Sequence, residues 1–411
     1  MEHQAILDMY MTAGVGVVAL LLGMFFTRVV PLLKRLCIPT PVSGGLVVSL
    51  MVLAIHAVFK VNFVFDGTIK DICMMAFFTS VGYQSNLRVL KQGGKPLAVL
   101  VALVALLILM QNLLSVGIAK GLSLDPLVGM ATGSIPMAGG HGTAGGFSSV
   151  LQDLGLAGAP SVTMAAATFG LVAGSLIGGP IAELLIRRHR LADESGSSDV
   201  VVTIESSDAS LESRQEHLVS EERSFRRYSM ATFQLFLAMA LGMCFSKLLA
   251  LTGITFPTYF GALIVAAVIR NISAFRGGGN GLRLALDKIV SIGNICLSLF
   301  LGMAMATLKL WELSGLMLPL VLILCSQTIF MAFFARFIAF PTLGKDYDAA
   351  VLVSGICGFG LGATPNAMAN MSAVCYKYHY AVKPFIIVPI VGAMFVDIIN
   401  TGVITFFLNI I

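Results

Sequence analysis

Long apolar segments alternate with short polar ones along the chain, and this pattern predicts membrane-spanning helices. A helix needs roughly 20 apolar residues to cross a bilayer. Residues 72–87 form a short candidate that contains the polar residues Ser80 and Gln84. The ten predicted spans are residues 9–27, 41–59, 72–87, 96–118, 161–185, 231–252, 255–270, 289–308, 316–338 and 384–410.

The Lys and Arg residues indicate how these spans are oriented. With both termini outside, 21 of the 26 basic residues lie on the inner side and 5 on the outer side, as the positive-inside rule requires. Full crossings by two further glycine-rich stretches, residues 126–150 and 347–375, would reduce the inner count to 10. We therefore expect these stretches to be re-entrant hairpins whose irregular backbone faces a cavity.

The composition supports a membrane protein and excludes a soluble one. Of the 411 residues, 57% are hydrophobic and only 11% are charged, against about 25% charged in soluble domains. The net charge of +5 reflects the positive-inside bias and does not indicate nucleic-acid binding. Residues 187–230 are rich in Ser, Asp and Glu, which predicts a largely disordered cytoplasmic linker.

An internal repeat relates residues 1–186 to residues 231–411. Gly139 and Thr143 match Gly360 and Thr364 at an offset of 221 residues. Each half has five predicted spans, an odd number, so the second half enters the membrane inverted. The predicted fold is an all-α polytopic membrane protein with two inverted-topology repeats of five helices, each containing a glycine-rich re-entrant hairpin.

The hairpins are the predicted substrate site. Glycine-rich breaks release backbone N–H groups, and a helix that restarts after a break directs a partial positive charge at the gap. This arrangement suits an anionic substrate, and neither hairpin core contains Lys or Arg. Close helix packing is the alternative explanation for the glycines. The candidate substrate-binding residues are Gly139, Gly140, His141, Gly142, Thr143, Gly360, Gly362, Thr364, Asn366 and Asn370.

Asp397 is the acidic residue near the middle of a long apolar span, where an unpaired carboxylate is costly and usually functional. It is interpreted as a Na⁺ ligand, a partner for a substrate ammonium or a structural carboxylate. His141 is either a donor to a carboxylate or a structural histidine. The sodium-binding candidates are Asp397, Asn400, Ser80, Asn294 and Ser298.

Six segments carry a resemblance to a known family. They are PTPVSGGL from Pro39, GGHGT from Gly139, TFGLVAGSLIGGP from Thr168, LSLFLGMAMATLKLWEL from Leu297, GFGLGATPNAMANM from Gly358 and VPIVGAMFVDIIN from Val388. The sequence resembles the bacterial sodium/glutamate symporter family over essentially its whole length.

The resemblance implies a multi-pass inner-membrane protein that imports glutamate with Na⁺, without an organic cofactor. It also implies a homodimer in which a transport domain moves against a scaffold in an elevator-like manner. Three alternatives stay open: a carrier of citrate or malate, a channel, and an intramembrane hydrolase using His141. The sequence lacks the G-x-S-x-G and H-E-x-x-H motifs, so we expect a protein that is not an enzyme.

Overall fold

The computed structural model describes residues 3–35, 38–86, 94–191, 214–251, 256–275, 284–313 and 315–411. Helices dominate the first half of the chain. They are α1 (Met9–Val29), α2 (Pro31–Arg35), α3 (Thr40–Phe59), α4 (Thr68–Gln84), α5 (Gly94–Gly121), α6 (Pro126–Thr132), α7 (Gly140–Asp153) and α8 (Ala159–His189).

The second half follows a similar order of elements. Its helices are α9 (Arg214–Ala250), α10 (Phe260–Phe275), α11 (Leu286–Ala306), α12 (Met317–Thr342), α13 (Tyr347–Gly360), α14 (Thr364–Lys377), α15 (Val382–Met394) and α16 (Val396–Leu408). A short 3-10 helix (Leu310–Leu313) precedes α12, and a π-helical turn (Phe334–Ala339) lies within α12.

The lengths of the helices confirm a polytopic helical membrane protein. Seven of the described helices are long and apolar enough to cross a membrane, or eight if α15 and α16, which meet at 44°, form one span. Two of the ten predicted spans correspond to helices that are too short to be counted among these: α4 has 17 residues and α10 has 16. At 1.5 Å per residue they extend about 25 Å, below the roughly 30 Å of the hydrocarbon core.

Both ends of the predicted linker, residues 187–230, are helical. α8 continues to His189, and α9 already begins at Arg214. A polar segment can extend an apolar helix at little cost, since nucleation has already been achieved. Residues 192–213 of the predicted linker lie outside the described residues.

Two short strands were not predicted from the sequence. β1 (His3–Leu7) pairs in parallel with β2 (Val61–Phe65), with His3 opposite Val61. Five-residue strands are too short to stand out beside apolar segments of about 20 residues.

The helices form two bundles, and each bundle takes helices from both halves of the chain. The first bundle consists of α1, α3, α4, α9, α10 and α11; the second consists of α5 to α8 and α12 to α16. The second bundle has its own core, which includes Leu107, Met331, Phe334 and Leu361. A further core that includes Phe147, Tyr259 and Phe300 joins the two bundles.

Small residues set the close approach of α1 to α3 in the first bundle. Gly16, Ala19 and Gly23 lie on the buried face of α1. A Cβ atom at Gly44 of α3 would overlap the backbone of Ala19 and Gly23. Such small-residue contacts are a common way for membrane helices to associate, because the lipid supplies no hydrophobic driving force.

Gly44→Ala is therefore expected to lower the melting temperature of the detergent-solubilised protein, with a cost of about 3 kcal/mol from overpacking. Gly14→Ala is the matched control, because Gly14 lies on the same helix pair and a Cβ atom there would meet no other atom within 4 Å. The control should be neutral or slightly stabilising, since alanine favours helix. Equal melting temperatures for the two variants would contradict this packing.

Candidate functional site

A cavity of about 530 Å³ lies between the two bundles. The first bundle contributes Phe77, Val81, Leu297 and Leu301 to its wall. The second bundle contributes the breaks between α6 and α7 and between α13 and α14. Among the described residues that line the cavity, none is Lys or Arg and Asp397 is the sole acidic residue.

The break between α6 and α7 is held by amide side chains from two other helices. The Ser134 backbone N–H donates to Asn112 Oδ1 at 2.9 Å. Asn400 Nδ2 donates to the Ser134 carbonyl at 3.0 Å. Both groups of the Ser134 backbone are therefore satisfied by α5 and α16, as an irregular segment inside a bilayer requires.

The break between α13 and α14 is held in a similar way. Gln111 Nε2 donates to the Gly360 carbonyl at 2.7 Å, and Gln327 Nε2 donates to the Gln111 carbonyl at 2.8 Å. Asn366 Nδ2 donates to the Leu171 carbonyl of α8 at 2.8 Å. These bonds fix the second break relative to α5, α8 and α12.

The two breaks meet at Gly140 and Gly362. Gly140 has φ +57°, and a Cβ atom there would lie 2.7 Å from the Gly362 carbonyl oxygen. A side chain is therefore excluded both by the left-handed backbone and by the close contact. This contact brings the start of α7 and the start of α14 to one cavity.

Helix starts in this structure are of two kinds: some carry an aspartate cap, whereas others, both at the cavity and outside it at α4, α8 and α11, carry no side-chain cap. Asp8, Asp125 and Asp346 cap α1, α6 and α13, each accepting a backbone N–H bond of 2.7–2.8 Å. No side chain caps α3, α7 or α14, and the first residues of all three helices line the cavity. The first N–H groups of a helix have no partner within it, so this cavity favours an anion.

His141 and Asp397 add side chains to the cavity. His141 Nε2 lies 3.1 Å from Thr168 Oγ1, and the Thr168 hydroxyl donates to the Met164 carbonyl at 2.9 Å. The Thr168 oxygen is thus the acceptor, and His141 Nε2 carries the hydrogen. The half-buried Asp397 carboxyl lines the cavity together with Thr143, whose Oγ1 is buried without a hydrogen-bond partner among the described residues.

Two buried oxygen atoms without hydrogen-bond partners belong to residues that meet at the break between α6 and α7. Within the part of the chain that the structure describes, Ser134 Oγ and Asn400 Oδ1 are buried and unpaired. Asn400 is three residues after Asp397 on α16, so the two side chains lie on neighbouring positions of one helix face. Carboxylate, amide and hydroxyl oxygens are the ligand types that hard cations prefer.

Comparison with known proteins shows which family this chain belongs to. The family described as Sodium/glutamate symporter matches residues 5–380. The Sodium/glutamate symporter of Escherichia coli (strain K12) is 39% identical over 405 residues, 98% of each chain. That of Haemophilus influenzae is 36% identical over 397 residues, 96% of this chain and 95% of the relative.

This chain belongs to the sodium/glutamate symporter family. A symporter is a membrane transporter, which agrees with the prediction that the chain is not an enzyme. Membership also confirms the resemblance drawn from the six sequence segments.

In this member of the sodium/glutamate symporter family, ten of the fifteen candidate residues line the cavity. They are Gly139, Gly140, His141, Gly142, Thr143, Gly362, Thr364, Asn294, Ser298 and Asp397.

The other five candidates lie behind the cavity wall. Gly360 and Asn366 hold the second break, and Asn400 holds the first. Asn370 Nδ2 donates to the Gly174 and Ser354 carbonyls. Ser80 Oγ donates to the Phe77 carbonyl at 2.7 Å within the first bundle.

The apolar wall of the first bundle was not predicted from the sequence. Leu297 and Leu301 follow Asn294 and Ser298 along α11, and all four line the cavity. Their spacing of three and four residues puts them on one helix face. The sequence signal for Leu297 and Leu301 was therefore their helical spacing from the polar candidates Asn294 and Ser298.

The contact between the two breaks can be tested by Gly140→Ala. We expect a lower melting temperature, because the methyl group meets both an unfavourable backbone, which costs about 1–2 kcal/mol, and the Gly362 carbonyl. Gly94→Ala is the matched control, since Gly94 has a similar positive φ (+62°) and a Cβ atom there would meet only Pro96 Cδ, at 3.9 Å. A Gly140→Ala variant no less stable than Gly94→Ala would contradict the contact.

Proposed function

We propose that this chain imports glutamate across the inner membrane by Na⁺-coupled symport. The observation that carries the proposal is the cavity itself, in which uncapped helix starts meet and which Lys and Arg do not line among the described residues. The names of the relatives from Escherichia coli and Haemophilus influenzae support sodium and glutamate as the transported species.

The glutamate carboxylates bind at the starts of α7 and α14. Backbone N–H groups of residues 140–142 and the hydroxyls of Thr143 and Thr364 are the donors, and His141 adds a ring N–H if its neighbour Thr168 releases it. Asn366 and Asn370 act indirectly, because their amide groups hold α14 against α8. Helix starts that point at a substrate carboxylate are a recurrent solution in transporters with broken helices.

Na⁺ binds behind the break between α6 and α7. Asp397, Thr143, Asn400 Oδ1 and Ser134 Oγ are the proposed ligands. They are supported by the unpartnered oxygens of Thr143, Asn400 and Ser134 and by the hydrogen bond from Asn400 Nδ2 to the Ser134 carbonyl. An ion at this position orders the break and so prepares the start of α7 for the substrate. Binding of the two species is thereby coupled.

The two bundles suggest an elevator-type mechanism, in which the second bundle carries the cargo past the first. The proposed substrate and ion ligands named above all belong to the second bundle. Asn294 and Ser298 belong to the first bundle, so they contact the cargo at one end of the movement and do not travel with it. Ser80 is the weakest of the five ion candidates, because it is buried beside Gly293.

In the orientation predicted by the Lys and Arg residues, with both termini outside, the cavity opens towards the inner side. It extends to Thr40, where α3 begins, and to Gln84, where α4 ends. Both positions adjoin segments whose basic residues put them inside. On the other side of the cavity, Gly145 and Gly146 pack so closely against the rings of Phe300 and Tyr259 that an added Cβ atom would overlap them. This glycine–aromatic contact closes the route from the cavity to the outer side.

Inverted repeats, re-entrant breaks, termini outside and a cytoplasmic linker complete the proposed topology. The matching order of helices and breaks in the two halves supports the repeats. We also propose a homodimer held through the first bundle, which stays fixed in an elevator and can therefore keep a permanent contact. Citrate, malate and channel-like conduction are the alternatives that transport measurements distinguish.

Uptake of labelled glutamate into proteoliposomes tests the function. We expect accumulation only with an inward Na⁺ gradient, inhibited by excess unlabelled glutamate far more than by citrate or malate, because the relatives that match nearly the whole chain are named for glutamate. Liposomes without protein are the control. Sodium-independent uptake, preference for citrate or passive fluxes at channel rates would overturn the proposal.

Asp397→Asn tests the ion site. We expect the Na⁺ concentration for half-maximal uptake to rise at least about tenfold, because a tenfold change corresponds to 1.4 kcal/mol and removing a ligand charge exceeds that. Asp153→Asn, at the exposed end of α7, is the matched control and should leave it unchanged. An unchanged Na⁺ dependence together with weaker discrimination against citrate would assign Asp397 to the substrate ammonium instead.

A further inference from the structure

A second cavity of about 240 Å³ lies between the two bundles, beyond the contacts of Gly145 with Phe300 and Gly146 with Tyr259. We call it the outer vestibule, because it lies at the end of the bundles where the Lys and Arg count predicts the outer side. The residues that define it are Thr12, Asp66, Lys70, Ser148, Gln152, Ser161, Thr307, Lys309 and Glu312, together with apolar groups around Phe300.

The vestibule contains two positive and two negative side chains. Lys309 Nζ lies 3.9 Å from Glu312 Oε1. Asp66 accepts the Thr68 backbone N–H at 2.8 Å, and hydrogen bonds from the Thr68 side chain and backbone lower the pKa of Asp66, which stays ionised at neutral pH. Charges of both signs match a ligand that itself carries carboxylates and an ammonium group.

A buried hydroxyl faces this space without a partner. Thr12 is 2% exposed, and its Oγ1 has no hydrogen bond to the described residues. A buried polar group without a partner is costly, so a ligand or ordered water that reaches it is favoured. The volume is below the roughly 300 Å³ at which pockets for drug-sized molecules begin, which suits a small metabolite.

The vestibule and the main cavity share two helices. In the main cavity, residues 140–143 of α7 lie opposite residues 294–301 of α11. In the vestibule, residues 145–152 of α7 lie opposite residues 300–307 of α11. The two stretches of α11 are offset by six residues, which corresponds to about 9 Å along a helix. A slide of α7 along α11 by this distance would bring the start of α7 into the vestibule.

We propose that the outer vestibule receives the amino-acid substrate in the outward-facing state, with Lys70 and Lys309 attracting its carboxylates. This inference rests on the proposed symport and extends it, because it assigns an outer acceptance site on the first bundle and its adjoining loops. Lys70 lies in the first turn of α4 and Lys309 follows α11, so both stay behind when the second bundle moves. They act on the substrate from the outer side only.

The test compares the two faces of the membrane. Glutamate uptake is measured in right-side-out vesicles and in inside-out vesicles of the full-length protein, each with Na⁺ on the glutamate side. The double variant Lys70→Gln with Lys309→Gln should raise the external KM by about tenfold and leave the internal KM unchanged, because Asp66 and Glu312 would then remain uncompensated and repel the substrate carboxylates. Added choline chloride should raise the external KM of the wild type, since salt screens exposed charges.

Lys120→Gln is the matched control, because Lys120 is exposed at the end of α5 and lines neither cavity. It should leave both KM values unchanged. An unchanged external KM in the double variant, or equal increases on both faces, would overturn the vestibule proposal while the symport function stands. A wild type without Na⁺-dependent glutamate uptake would overturn the proposed function and the vestibule with it.

Discussion

Two helices are broken inside an apolar environment, and the need to satisfy their backbone groups shapes the rest of the structure. No lipid group can accept or donate these hydrogen bonds. Amide side chains do so instead: Asn112 and Asn400 at one break, and Gln111 at the other. Each of these three amides comes from a different part of the chain than the break it holds, and Asn366 of α14 adds a bond from the second break to α8. The breaks can therefore form only after the second bundle has assembled, and the candidate site depends on that whole bundle.

Where the two bundles meet, glycines of one bundle pack against aromatic rings of the other. On the second bundle, α7 presents Gly142, Gly145 and Gly146, and on the first, Phe77, Phe300 and Tyr259 face them. Glycines opposite aromatic rings leave a smooth surface, and elsewhere hydrogen bonds cross between the bundles, from Ser161 Oγ to the Lys309 carbonyl at 3.2 Å and from Ser85 Oγ to the Met394 carbonyl at 3.5 Å. The interiors of the bundles, in contrast, are joined by buried hydrogen bonds. Movement is therefore expected between the bundles and not within them, which is the division that an elevator-type carrier needs.

Sequence patterns predicted much of the helical architecture, since apolar length alone finds α1, α3 and α5 to within a few residues. Glycine density likewise located both breaks. The division of the helices into two bundles could not be predicted from the sequence, because it depends on which faces of α4 and α11 meet. The role of Asn366 was out of reach for a similar reason. An amide can bind a ligand or hold a neighbouring backbone, and only the position of the Leu171 carbonyl decides between the two.

The cavity would bind an anion through helix N-termini and not through Lys or Arg side chains. This difference matters for the return of the empty carrier. An arginine in the moving bundle would be a full charge that crosses the electric field on every return. Each elementary charge is worth about 2.3 kcal/mol per 100 mV of membrane potential, whereas partial charges at helix ends belong to dipoles that move as a unit. Among the described cavity residues Asp397 alone is acidic. In the proposed elevator, Asp397 would therefore be the one acidic charge of the described cavity lining that crosses the field in the empty carrier, and the Na⁺ proposed to bind there would cancel it in the loaded one.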